Sequence, residues 1–245
     1  MKIRLLMLCG IALCTALLPH NAMAQIAVRD VIRHMLPNKR PILNADVMNN
    51  SKEKILGTMV DIKESFRNPD GTETAKVSDD FVVAPKTMIL RPGERRNARL
   101  LLKRPADIDK ERYYRISFNP TQPTADELRA AGIPAPSDNI SASVGLISGM
   151  GMFITVAPRN IQPKLTWTRD ATAITFKNEG NTSIDMRLNT KYCAENDKSK
   201  CFELPFKRIY PGQSWKFDVA GNLAIKYFYQ VYDDYYAAQI AAMGE

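Results

Sequence analysis

The sequence predicts an all-β protein built from two sandwich domains. Short runs rich in β-branched and aromatic residues recur from Pro41 onward, Pro-Gly turns punctuate them, and the series starts afresh beyond Pro158. The chain has 245 residues, 45% of them hydrophobic, enough for a core of real size.

The elements follow in order. Lys2 and Arg4 open the chain, an apolar run from Leu5 to Leu18 follows, and Ala22-Met23-Ala24 stands before Gln25. This reads as a secretory leader over residues 1–24 with a small-x-small cleavage site. Its apolar run is shorter than the roughly 20 residues that span a bilayer, and no later stretch is apolar and long enough to do so. The processed protein is therefore expected to be soluble outside the cytoplasm. Loss of Lys2 and Arg4 lowers the formal charge of +8 to about +6, a modest basic bias that suits anionic partners. The leader also removes Cys9 and Cys14, so only Cys193 and Cys201 remain. An even pair in an oxidising compartment predicts a disulfide across the polar turn Ala194–Lys200. His34 is the one histidine left, so neither a metal site nor a cofactor is expected.

Between Gln25 and Leu36 the apolar residues Ile26, Val28, Val31, Ile32, Met35 and Leu36 fall at mostly helical spacing before Pro37, which predicts a short N-terminal helix. His34 sits within it, far from any nucleophile or second ligand, and reads as a surface or packing residue. Strands are predicted at Ile42–Met48, Ile55–Phe66, Phe81–Ala84, Arg95–Lys103, Arg112–Phe118 and Ala142–Val156. Asn68–Gly71 and Arg91–Glu94 are turns in which proline presets φ and glycine accepts positive φ. Asn119–Asn139 is proline-rich, with little β pattern, and reads as a long loop with one helical turn at Ala125–Ala131. The second series predicts strands at Lys164–Thr168, Ala171–Lys177, Ser183–Tyr192, Phe202–Ile209, Ser214–Val219 and Leu223–Tyr232. Residues 25–158 and 159–245 are thus expected to form separate domains.

Ser141–Val156 is the unusual segment, far longer than the ~5–6 residues of a typical strand. Val144, Leu146, Met150, Met152, Ile154 and Val156 share one face, interrupted by Ser148. The other face carries Gly145, Gly149 and Gly151 among mostly small residues. Two readings remain open: a buried strand whose glycines mark a bend, or an edge awaiting a partner. The segment lacks the charge and proline with which proteins usually blunt an edge.

Several pieces of the chain taken together resemble one family. They are Leu90-Arg-Pro-Gly-Glu94, Asp109-Lys-Glu-Arg-Tyr-Tyr-Arg-Ile116, the long strand ending at Val156-Ala-Pro-Arg159, and the Cys193–Cys201 loop followed by Tyr210-Pro-Gly-Gln213. In their order and spacing the chain resembles the periplasmic chaperones of chaperone–usher pilus assembly, in particular the alternate branch that serves common-pilus and colonisation-factor fimbriae. The resemblance implies two immunoglobulin-like domains in a bent arrangement with a cleft between them. It implies a periplasmic protein whose partners are fimbrial subunits and an outer-membrane usher. The implied mechanism is donation of a strand to an unfinished subunit sandwich, with Val144, Leu146, Met150, Met152 and Ile154 filling the subunit's groove. The better-studied branch also binds the subunit's terminal carboxylate with an arginine on the first strand and a lysine on the long strand. Here Met150-Gly-Met-Phe-Ile-Thr155 has no lysine. The resemblance therefore leaves Arg40, or Lys39 beside it, for the first role and Arg115 or Arg159 for the second.

No phosphate-binding glycine loop, zinc motif or nucleophile elbow appears, so no enzymatic activity is expected. Export argues against nucleic acid as a partner for the tyrosine-rich stretch Tyr227–Tyr236. A two-domain adhesin or minor fimbrial subunit is the structural rival. Whether the free protein covers its long strand by self-association is left open.

Overall fold

The structure, a computed structural model, describes residues 25–37, 39–68, 72–103, 108–134, 149–186, 190–194, 197–219 and 224–241, and the side chains of these except 190–202 and 204. The first strand series forms two facing sheets. One runs β1 (Ile26–Val28), β3 (Ile42–Asn49), β8 (Arg95–Leu102), β6 (Phe81–Ala84). The other runs β2 (Ile32–Met35), β10 (Met150–Val156), β9 (Arg112–Thr121), β4 (Leu56–Arg67), β5 (Glu73–Val77), with β7 (Thr87–Leu90) also pairing with β4. Alternation along the strands supplies the core between them: Ala98, Leu100 and Leu102 of β8 face Tyr114, Ile116 and Phe118 of β9, all buried.

The predicted N-terminal helix is absent, and the segment is two strands instead. Ile26 and Val28 bury one face of β1 against β3. At Asp30 the backbone takes φ 54, and the chain leaves the first sheet to run beside β10 as β2. The apolar positions fitted a helical period only because the strand changes sheets midway. β1 alternates by itself, whereas β2 buries only Met35, and ladder partners decide the outcome that local spacing left ambiguous.

Elsewhere the predicted strands of the first series are found, together with β5 and β7, which their polar or turn-flanked sequences did not announce. Of the long strand, Met150–Val156 is observed, whereas 141–148 lie outside the described residues. The loop after β9 contains α1 (Ala125–Ala130), started by a capping box in which Thr124 Oγ1 accepts from Glu127 N–H and Glu127 Oε2 accepts from Thr124 N–H at 2.8 Å. Leu128 anchors this turn in a buried position.

The second series forms a three-stranded sheet, β11 (Leu165–Arg169), β12 (Ala173–Asn178), β17 (Ser214–Asp218), and a four-stranded sheet, β16 (Lys207–Ile209), β13 (Ile184–Met186), β18 (Ile225–Val231), β19 (Asp234–Ile240). β14 (Thr190–Ala194) and β15 (Asp197–Leu204) pair as a two-stranded sheet of their own, with β14 next to β18. The single strands predicted at Ser183–Tyr192 and Phe202–Ile209 are each divided between two sheets, and β19 was not predicted. Ile174, Phe176, Ile184, Ile225 and Tyr227 form the centre of a second core.

Candidate functional site

β10 is sandwiched unevenly. Along its whole length it pairs antiparallel with β9, from Met150 opposite Phe118 to Val156 opposite Arg112. On its other side β2 pairs in parallel only with Phe153–Val156, reinforced by Phe153 N–H donating to Val31 C=O at 2.6 Å. Met150, Gly151 and Met152 therefore present an edge with no ladder partner among the described residues. Gly149 makes the approach to this edge close: a Cβ there would lie 2.9 Å from Phe118 O and 3.1 Å from Asn119 Oδ1. Any larger residue would push the strand away from β9.

The faces of β10 divide the predicted donor residues. Met152 and Ile154 are 1% and 0% exposed and belong to the core of their own sandwich, next to Tyr114 and Ile116. A side chain filling its own core is not available to fill a groove in a partner, so Met152 and Ile154 are removed from the donor set. Met150 is half-buried and packs at the margin of that core. Val144 and Leu146 lie outside the described residues.

The opposite face of the sheet carries charge and aromatic surface. Phe153 stacks on Tyr113 with ring centres 6.1 Å apart, and the Arg115 guanidinium lies 5.8 Å from the Phe153 ring. Arg115 donates from Nε and an Nη to the two carboxylate oxygens of Glu73 at 2.6 and 2.8 Å. Arg67 reaches the same carboxylate at 2.7 Å and covers the Tyr210 ring of the second sandwich at 5.0 Å. The Arg115 hydrogen bonds, with Ser65 and Arg67 adding, hold Glu73 down at about 2. The two arginines and one carboxylate leave a net positive charge on this face.

The predicted anchor cations are scattered. Arg115 sits on the face beside β10, with its fork engaged by Glu73. Lys39 meets Asp233 of the second sandwich at 3.8 Å through two exposed side chains, a contact of little energetic weight. Arg40 is exposed just before β3 and makes no ion pair among the described residues. Arg159 is exposed in the segment between the sandwiches, with its backbone N–H on Ile108 C=O at 2.9 Å. Glu73, Arg67 and Phe153 were missed. Two-residue spacing puts Tyr113 and Arg115 on one face, but only the β9–β10 register brings Phe153 opposite Arg115. His34, read as a surface or packing residue, is exposed on β2, with its ring meeting Tyr232 edge-on at 5.4 Å. Cys193 and Cys201 are direct backbone partners in the β14–β15 ladder. Among the described residues no group of three acidic, histidine or cysteine side chains could hold a metal, and no helix is long and apolar enough to cross a membrane.

This architecture places the chain among proteins of known form. No family model and no curated protein matches it. Among solved structures it is similar to the class 5 fimbriae chaperone CfaA, at 17% identity and TM-score 0.63, over 89% of this chain and 100% of that one. A structure from a chaperone–tip adhesin complex of CFA/I fimbriae biogenesis matches at 18% identity and TM-score 0.61, over 91% and 100%. The CsuC–CsuE chaperone–tip subunit pre-assembly complex of archaic Csu pili of Acinetobacter baumannii matches at 13% identity and TM-score 0.52, over 90% and 100%. The chain thus has the two-sandwich fold of these fimbrial chaperones.

Proposed function

We propose that this protein is a periplasmic chaperone that captures fimbrial subunits by strand donation and hands them to an outer-membrane usher. The observation that carries this reading is the edge at Met150–Met152, which has no ladder partner among the described residues, is continuous in sequence with Val144 and Leu146, and is closed at Phe153 by β2. A subunit strand added there would gain main-chain hydrogen bonds of about 0.5–1.5 kcal/mol each, insensitive to sequence. Val144, Leu146 and Met150 would supply the apolar side chains, and Met150, unbranched and flexible, suits related but unequal grooves. Complexes between chaperones of this fold and tip subunits are known for the CsuC–CsuE pair, which supports the same class of partner here.

The positive face of Arg67, Glu73 and Arg115 reaches β10 through Arg115 on the neighbouring strand β9, and it suits the terminal carboxylate of a subunit. An incoming carboxylate would exchange with Glu73, to which Arg115 is already aligned for bidentate contact and Arg67 adds a single one. Arg40, or Lys39 beside it, remains the candidate for the first role, and Arg159 the alternative to Arg115 for the second. The Cys193–Cys201 disulfide is proposed on the same terms: antiparallel partners have Cα separations of ~4.5–5.5 Å, inside the range that a disulfide bridges.

Coexpression of the chain with a fimbrial subunit tests the reading. A soluble one-to-one complex is expected. Self-polymerisation of this chain, with no subunit bound, would make it instead an adhesin or minor subunit of the fibre.

A further inference from the structure

Glu73 opens β5, the outermost strand of its sheet, and Arg115 stands on β9, with β4 between them. At 4.7–4.9 Å per strand the two backbones are separated by roughly 10 Å, so the Arg115 side chain crosses the whole width of β4 to reach its carboxylate. It completes that crossing with two bonds, from Nε at 2.6 Å and an Nη at 2.8 Å. The crossing carries the guanidinium outward, away from β10, although Phe153 of β10 is the ladder partner of Arg115.

The surroundings of Arg115 offer no other reason for this direction. Its ladder partner on β4 is Lys63, an exposed cation with no ion pair among the described residues, and like charges opposite one another repel. Asp61, the other acid that β4 turns to this face, is taken up by the Asn119 amide at 2.6 Å. Arg67 pairs with Glu73 in the ladder and gives it one contact at 2.7 Å, yet the Arg67 Nε is buried and has no hydrogen-bond partner. Glu73 thus gathers both arginines and leaves one of their donors unsatisfied, so the cluster has room for a further acceptor. Solvent reaches it: the Arg115 side chain is 51% exposed.

We propose that Glu73 is an affinity-setting residue, a built-in competitor that occupies the arginine pair in the free protein and must be displaced before a partner's terminal carboxylate is held. The inference rests on the strand-donation reading and adds to it a limit on how tightly the subunit's end is gripped. A partner's carboxylate trades one ion pair for another, so its apparent affinity is reduced by the fraction of the protein whose fork is vacant. A hold weakened in this way leaves the captured chain free to be passed on. Removing the competitor should tighten binding about ten-fold, the worth of one bidentate charge-assisted contact after screening by solvent.

The test titrates the full-length chain with a synthetic peptide carrying the C-terminal strand of a fimbrial subunit, made once as the free acid and once as the C-terminal amide. Glu73→Gln should bind the free acid about ten-fold tighter than the wild type does and the amide no tighter. Adding Arg115→Ala to Glu73→Gln should abolish the gain. Should Glu73→Gln not fold, Glu73→Asp keeps the charge but is too short to complete the fork, and it should give a smaller gain in the same direction. Unchanged or weaker binding of the free acid by the folded variant would overturn the inference, as would an equal gain for the amide or no peptide binding by any form. Capture of a coexpressed subunit by the wild type separates the two claims: if capture persists while the peptide result fails, only the role of Glu73 falls, and if capture is absent the strand-donation reading falls with it.

Discussion

Truncating Met152 to alanine separates the two halves of the long strand. Met152 is 1% exposed, stands opposite Ile116 in the ladder, and shares a core cluster with Tyr114, Phe118 and Ile154. Removing a buried side chain of this size costs the transfer energy of the lost atoms plus the cavity they leave, about 2–5 kcal/mol in total. At about 3–4 °C per kcal/mol for a sandwich of intermediate size, a loss near 3 kcal/mol lowers the melting temperature by ~10 °C. Leu146→Asp should do the opposite: melting unchanged, subunit capture abolished. Scanning calorimetry of both variants, paired with pull-down of a coexpressed subunit, reads the two effects separately. If Met152→Ala melted as the wild type and lost capture, Met152 would be a donor side chain and the strand's faces would be reversed.

Acid should loosen the charged face beside β10. Glu73 is held at about 2 when folded, against 4.5 for a free side chain. Its contribution to stability is therefore complete above about pH 4.5 and is lost as pH falls toward 2. Urea unfolding across that window should show a steeper loss for the wild type than for Glu73→Gln, and equal slopes would refute the assignment. Reduction of the Cys193–Cys201 pair should destabilise the second sandwich by about 2–3 kcal/mol, given the short loop it closes. Calorimetry with and without reductant measures this, and an unchanged melting temperature would argue that the thiols are not joined.

What was legible in the sequence follows from how local each signal was. β3, β8 and β9 could be read because one face of each is buried, so alternation survives in the order of residues. The N-terminal strands could not, because Asp30 switches sheets within a few residues and leaves a pattern that mimics a helix. The length and apolar content of the segment ending at Val156 pointed to an unusual strand. Which of its residues are core was hidden, since Met150, Met152 and Ile154 share one parity and differ only in how far the sandwich extends beneath them. The Arg115–Glu73 fork joins residues 42 positions apart, and only tertiary register brings them together.

Hydrogen exchange of the backbone amides, with and without a bound fimbrial subunit, tests the central claim most directly. Strand donation predicts new protection at Met150–Met152 and through Val144–Leu146, with little change at Phe153–Val156, where β2 already pairs. A one-to-one complex that left Met150–Met152 as exposed as in the free chain, and gained protection elsewhere, would contradict it.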